Sequence, residues 1–174
     1  AELTVDMMSA EDLAATCMQI IKARSTSADV FVQAAEMLCL FFSCETNPVA
    51  QQNTVECIPT VMRFLEDESS NVVLPESSVR LLAAIARGNN QAKRQVSNGS
   101  CVRSLVNAMA GSPDNVELQR AGITLLWVLG GDESSFDYSL LGQIKQTIEI
   151  VSSRHPDDDD LNIAICGFVA NVSA

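Results

Sequence analysis

Apolar residues recur along the chain at a nearly constant interval. Starting from Leu126, matching apolar residues occur at Leu82, Leu38 and Val169, in steps of 44, 44 and 43 residues. Another large apolar residue stands three positions after each of them: Phe41, Ile85, Leu129 and Val172. One more stands eight positions before each of them: Val30, Leu74, Leu118 and Leu161. A period of this length, carried by helical segments, is typical of an α-helical repeat array.

The spacing of apolar positions and the capping residues between them predict a chain made of helices. Long helices are predicted from Ser9 to about residue 24, then over 30–43, 58–65, 74–87, 101–110, 115–130, 143–154 and 161–172. Short helices are predicted over 48–55, 91–97 and 134–141. The order is two long helices, followed three times by a short helix and two long ones. No strand is predicted, and a closed four-helix bundle gives no reason for a 44-residue register.

Two capping segments support this assignment. Ser112, Pro113 and Asp114 are predicted to supply a cap, a first-turn proline and an acid for helix 115–130. The four acids at 157–160 occupy the same place in the repeat before helix 161–172, where negative charge favours a helix N-terminus. They are therefore expected to cap the helix and to remain solvated, since no twelve-residue calcium loop surrounds them.

Composition narrows the possible partners. Charged residues make up 19% of the chain and hydrophobic residues 47%, which argues against disorder. The formal net charge of −11 argues against nucleic-acid binding and favours a basic or apolar protein partner. No apolar run is long enough to span a membrane and no secretory signal is present, so we expect no membrane insertion and an intracellular, cytoplasmic or nuclear, location. The chain begins and ends within the repeat cycle, which suggests a piece of a longer protein.

Candidate chemistry is sparse. The six cysteines form no CxxC pair and are expected to be free thiols. His155 is flanked by Arg154 and Pro156 in a linker, where an exposed setting is expected. No nucleophile, phosphate-binding or zinc motif occurs, so no enzymatic activity, cofactor or metal is expected.

Several segments resemble the armadillo repeat, and the resemblance covers nearly the whole chain. The segment 57–65, CIPTVMRFL, is similar to the second helix of that family, and Gln33 through Phe41 is similar to its third helix. The second-helix pattern returns at Val102, Leu105, Val106 and Met109, and again at Ile144, Ile148 and Val151. The related HEAT repeat also fits these degenerate motifs.

The resemblance implies an all-α, right-handed α-α superhelix, an armadillo-like solenoid of about three full repeats plus a partial N-terminal one. The whole of 1–174 would form one domain, with a partial repeat 9–55, repeats 57–97 and 100–140, and a partial repeat 143–174. Its third helices would line a concave groove. These helices are 30–43, 74–87, 115–130 and 161–172.

Import receptors of this family carry tryptophan and asparagine four residues apart on successive third helices. The tryptophan positions fall at Glu36, Arg80, Thr124 and Gly167. The asparagine positions fall at Leu40, Ala84, Val128 and Asn171. Only Asn171 matches, which argues against an import receptor. A row of groove cations is not expected either, because Arg80 stands alone among neutral and acidic neighbours.

The function implied is a non-catalytic scaffold that presents its groove to a protein or peptide partner. The predicted groove residues are Glu36, Leu40, Arg80, Ala84, Thr124, Trp127, Val128 and Asn171. Trp127 would either pack in the seam between helices or anchor a partner. Two alternatives remain open: a co-chaperone similar to Hsp70 nucleotide-exchange factors, and a purely structural segment of a longer solenoid.

Overall fold

The computed structural model describes residues 9–23, 27–44, 53–66, 73–131 and 138–173. Within these ranges the chain forms α-helices and two short 3-10 helices and contains no strand. The α-helices are α1 (Ala10–Lys22), α2 (Ala28–Cys44), α3 (Ile58–Leu65), α4 (Val73–Gly88), α5 (Asn90–Val96), α6 (Gly99–Gly111), α7 (Val116–Gly130), α8 (Leu141–Arg154) and α9 (Asp159–Val172). The 3-10 helices cover Asn53–Cys57 and Tyr138–Leu140. The all-α class is confirmed for the part of the chain described.

The predicted order of long and short elements is also confirmed. Two long helices come first, and each of the next three units has one short element followed by two longer helices. The short elements are the two 3-10 helices and α5. Residues 45–52 and 132–137, where parts of two short helices were predicted, lie outside the described residues.

The long helices pack in two layers. The front layer contains α2, α4, α7 and α9, and each of these packs against the next. The back layer contains α1, α3, α6 and α8, which also contact one another in order and each cover one front helix. Contacts between α7 and α9 run in the same direction along both helices, from Arg120 with Asp158 to Trp127 with Asn171, so these two helices are parallel.

Side-chain caps fix where most helices begin. Ser9 accepts a hydrogen bond from the Asp12 amide at 3.1 Å, as predicted. The prediction for α7 was wrong in detail, because Asn115 is its cap and accepts from the Leu118 amide at 3.1 Å. Ser112 instead follows the end of α6. The acidic segment 157–160 does cap α9, and the capping residue is Asp158, 3.0 Å from the Leu161 amide.

The anchor positions repeat with the predicted register, except at the last step. The series eight positions before the anchors fails at its first member, because Val30 is 44% exposed and the neighbouring Phe31 is buried. Leu38, Leu82 and Leu126 are each 1% exposed, so the 44-residue steps hold in the core. Val169, the predicted fourth anchor, is 46% exposed, whereas Phe168 is 2% exposed. The last step is therefore 42 residues, because Phe168, which packs beside Gly130 of α7, takes the buried place on α9.

A buried glutamine joins α6 to α7. Gln119 is fully buried, and its amide nitrogen donates to the carbonyl oxygens of Met109 and Ser112, both at 2.9 Å. Those carbonyls lie at the C-terminal end of α6, and each also accepts one backbone hydrogen bond, from the Ser112 amide and the Asn115 amide respectively. Gln119 therefore completes the hydrogen bonding of one helix end from inside the next helix.

Candidate functional site

The side of the front layer that faces away from the back layer carries most of the predicted groove residues. Its central depression, of about 440 Å³, lies between α2, α4 and α7. Small side chains form its floor and leave the space open, since Ala83, Ala84 and Ala121 all line it. Phe42 and Cys39 border it from α2, and Thr124 borders it from α7.

A second depression, of about 450 Å³, adjoins the first toward α9. Its lining residues are Arg87, Thr124, Trp127, Val128, Gly131 and Asn171. Thr124 and Arg87 line both depressions, so the two lie side by side across the front layer. Together they are called the front groove below.

The structure brings six of the eight predicted residues together in the front groove: Arg80, Ala84, Thr124, Trp127, Val128 and Asn171. The other two, Glu36 and Leu40, lie outside both depressions on the exposed side of α2. Leu40 is 67% exposed, the largest exposure among the large apolar side chains described. On α9, Asn171 keeps its predicted place in the groove, whereas Cys166 and Ala170 are exposed but line neither depression.

Trp127 packs across the seam between α7 and α9. Its indole lies directly against Gly167, where any added Cβ would overlap the ring carbons. The Asn171 side-chain amide donates to the Trp127 carbonyl oxygen at 3.0 Å. Trp127 is still 38% exposed and lines the groove. Trp127 therefore packs between the two helices, and part of its ring remains accessible to a partner.

The groove is more cationic than the sequence indicated. Arg80 is not alone, because Arg87 and Arg120 line the same central depression. Arg87 follows Arg80 by seven residues, which is two helical turns and places both side chains on one face. That spacing is visible in the sequence, but Arg87 is not one of the two places that the family pattern marks on this helix, which fall at Arg80 and Ala84. Arg120 belongs to another helix and reaches the depression only through packing of α7 on α4.

Residues at and just before the acidic linker of α9 contact α7 and the linker that precedes it. Arg120 donates to both carboxylate oxygens of Asp158, and Arg154 forms an ion pair with Asp114. The His155 ring nitrogen Nε2 lies 2.9 Å from the Pro113 carbonyl oxygen. This histidine is half-buried, so the prediction that it is exposed was wrong. These bonds hold successive repeats together at one edge of the stack.

The Arg120 guanidinium shifts the acidity of its partner. Its hydrogen bonds lower the pKa of the Asp158 carboxyl below 3.8, and the hydrogen bond from the Leu161 amide lowers it further. Among the residues described, no group of three or more histidine, cysteine, aspartate or glutamate side chains is arranged to hold a metal ion. The linker acids act as a cap and as ion-pair partners.

The thiols in the described part of the chain are free, and most are shielded. Cys17 and Cys57 are buried in the core, whereas Cys166 is exposed on α9. Burial raises the pKa of the Cys57 thiol to about 11. Burial likewise raises the pKa of Cys39, at the border of the central depression, to about 11. Neither thiol is activated as a nucleophile.

Comparisons of the chain with protein-family models, with curated proteins and with solved structures found no match in any of the three. Across the described ranges, none of the helices combines the length and the apolar character needed to cross a bilayer. The functional argument therefore depends on the geometry of the front groove.

Proposed function

We propose that this chain is a non-catalytic protein-interaction module of the armadillo type, and that its front groove binds a protein or peptide partner. The supporting observation is that two adjacent depressions, which share Thr124 and Arg87, together extend across α4 and α7. A groove built on stacked helices is suited to an extended ligand that contacts several repeats in succession. The proposal includes the right-handed superhelix and an intracellular, cytoplasmic location.

Rigidity supports the same proposal. The front helices are joined by buried side chains and by the contacts between Trp127 and Gly167 and between Arg120 and Asp158. A groove held in this way loses little conformational entropy when a ligand binds. Exposed apolar area in the groove, from Trp127 and Val128, would supply part of the binding free energy.

The test is a selection of binding peptides on the intact chain from a random display library, followed by groove-blocking variants. Ala84 is half-buried in the floor of the central depression, so Ala84→Arg fills it. Ala110→Arg is the matched control, because Ala110 is exposed on α6 in the back layer. Peptides that bind the native chain and the control but not Ala84→Arg would support the groove. A failure to select any binder, or equal binding to all three proteins, would contradict it.

The charge pattern gives a second check on the same site. Charge reversal at Arg80, in the central depression, is expected to change the affinity of selected peptides, and charge reversal at Glu36 is a further probe at the edge of α2. Both side chains are exposed, so the substitutions need not disturb the core. Unchanged binding in both variants would count against this groove.

A purely structural role is the second candidate, and exposed apolar side chains at the two ends of the stack favour it. Met37 on α2 is 41% exposed, and Ile150 on α8 and Val169 on α9 are also exposed. Such residues could pack against further helices of a longer solenoid. Sedimentation of the isolated chain separates the two functions: self-association abolished by Val169→Asp would favour the structural role, whereas a monomer that binds peptides would contradict it.

A further inference from the structure

The front groove has a local charge opposite to that of the whole protein. The formal net charge is −11, and the chain has only 11 lysine and arginine residues. Three of these, Arg80, Arg87 and Arg120, line the central depression, and Glu117 is the acid that lines it. A partner that binds this surface therefore contacts positively charged side chains, although the protein as a whole is acidic.

The three arginines differ in how completely their charges are already paired with acidic side chains. Arg120 is bound by Asp158 at 2.7 Å and by Glu117 at 2.8 Å. Arg80 lies 3.8 Å from Glu76 and its side chain is 49% exposed, so that ion pair is long and solvated. Arg87 is exposed and forms no ion pair with any residue in the described ranges. Arg80 and Arg87 are therefore the cations free to bind a ligand.

Apolar surface lies beside these two cations. Ala83 and Ala84 lie between Arg80 and Arg87 on α4, and Ala121 faces them from α7. Half-buried Phe42 closes the side formed by α2. The depression of about 440 Å³ can therefore receive one apolar side chain of a ligand while the flanking ligand groups remain near the guanidinium groups.

The spacing of the two arginines sets the spacing of the groups they would bind. Seven residues of α-helix advance about 10.5 Å. An extended chain presents every second side chain on the same face, and four residues of it span about 13 Å. Carboxylates four positions apart in an extended peptide that lies along α4 would thus face Arg80 and Arg87, whose long side chains cover the small excess in length, and the apolar residue midway between them would lie over Ala84.

We propose that the central depression binds an acidic peptide in extended form, which inserts one apolar side chain over Ala84 and pairs its carboxylates with Arg80 and Arg87. The inference rests on the proposed function and narrows it, because it selects an acidic partner over the basic one that the net charge favours. Ion pairs at this exposed surface contribute to specificity as well as to affinity, and they weaken as salt concentration rises.

Synthetic fluorescent peptides test the charge requirement directly, by fluorescence anisotropy with the full chain. The acidic probe carries two aspartates four positions apart with a leucine midway between them. Three comparison probes replace both aspartates by asparagine, both aspartates by lysine, or the leucine by serine. We expect the acidic probe to bind about tenfold more tightly than the asparagine probe, which corresponds to about 1.4 kcal/mol. We expect the serine probe to bind more weakly than the acidic one.

Protein variants assign that preference to the two arginines. Arg87→Gln and Arg80→Gln are each expected to weaken the acidic probe several-fold and to leave the asparagine probe unchanged. Arg103→Gln is the matched control, because Arg103 is exposed on α6 in the back layer. Circular dichroism spectra and melting temperatures confirm that each variant is folded.

The outcomes separate this inference from the proposed function. An acidic probe that does not bind, or that binds no better than the asparagine or lysine probe, overturns the inference. Equal binding by Arg87→Gln, Arg80→Gln and the native chain also overturns it. In either case, display-selected peptides blocked by Ala84→Arg would leave the groove function standing. Selected peptides that bind Ala84→Arg as tightly as the native chain would contradict both the inference and the proposed function.

Discussion

Arg120 of α7 binds both carboxylate oxygens of Asp158, the residue that caps α9. Its Nη2 atom lies 2.7 Å from Oδ2, and its Nε atom lies 3.0 Å from Oδ2 and 3.2 Å from Oδ1. Asp158 uses Oδ1 at the same time to accept from the Leu161 amide. One side chain thus starts a helix and attaches that helix to its predecessor, because the bidentate geometry fixes both the position and the orientation of the carboxylate.

The first prediction concerns the pH dependence of this ion pair. Asn also caps helices well, so Asp158→Asn keeps the cap and removes the charge. The pKa of Asp158 is lower in the folded chain than its ordinary value of 3.8. Its contribution to stability is therefore complete above about pH 4 and is lost as the pH falls through the lowered pKa.

We accordingly expect Asp158→Asn to have a lower melting temperature than the native chain at pH 7. The difference should shrink in acid, below the folded pKa of Asp158, where the native carboxyl is itself protonated. Asp157→Asn, at the neighbouring exposed acid, is the control and should change the melting temperature little. A difference that stays constant from pH 7 down through the acid range would refute the role of the charge.

The second prediction concerns the seam between Trp127 and Gly167. A Cβ at Gly167 would overlap the rigid indole, so Gly167→Ala is expected to lower the free energy of unfolding by about 1–3 kcal/mol. Gly142 of α8 has nothing within 4 Å of the same position. Gly142→Ala should therefore raise stability by up to about 1 kcal/mol, through helix propensity alone.

Urea unfolding followed by tryptophan fluorescence measures both variants. The only tryptophan in the chain is Trp127, so the emission of native Gly167→Ala should also report a displaced ring. A Gly167→Ala variant as stable as Gly142→Ala would show that the seam is looser than the structure indicates.

The third prediction concerns the buried amide of Gln119. Gln119→Leu removes two buried hydrogen bonds, although the carbonyl oxygens of Met109 and Ser112 each keep one backbone donor. We expect a loss of about 1–3 kcal/mol in the free energy of unfolding. Gln119→Glu should lose more at neutral pH, because an ionised carboxylate would face two carbonyl oxygens. Denaturant unfolding measures the free energy of unfolding of both variants. A Gln119→Glu variant that is more stable than Gln119→Leu at pH 7 would be inconsistent with this geometry.

The fourth prediction concerns thiol reactivity. In a Cys44→Ser background, which leaves five cysteines, Cys166 should react first with a maleimide because it is exposed. Cys57 should react only when the chain unfolds, since it is buried and its pKa is raised to about 11. Peptide mapping after timed labelling gives the order, and early modification of Cys57 would contradict the buried core position.

Helix positions could be predicted from the sequence because their determinants are local. Ser9 caps α1, and Pro59 stands in the first turn of α3, each marking a boundary within a few residues of itself. The register of the last repeat could not be predicted in the same way. Phe168 and Val169 are adjacent and both apolar, and only the packing of α9 on α7 decides which one is buried.

The groove was predicted in part for a related reason. Repeat register brought Arg80, Ala84 and Thr124 to one surface, as the structure finds. The contribution of Arg120 depends on side-chain direction and on how closely α7 approaches α4, neither of which a periodic pattern specifies. His155 was misjudged because its partner, the Pro113 carbonyl, lies one whole repeat earlier in the chain.

The contact of Trp127 with Gly167 also bears on whether the units could be exchanged for one another. Ala83 stands 44 residues before Trp127, so the corresponding place one unit earlier holds a much smaller side chain. A unit that follows Trp127 must present a residue without a Cβ at the place of Gly167, because any Cβ there would overlap the indole. Side-chain volume at this seam therefore restricts which unit can follow which. Duplicating or exchanging units would require compensating substitutions on both sides of the seam.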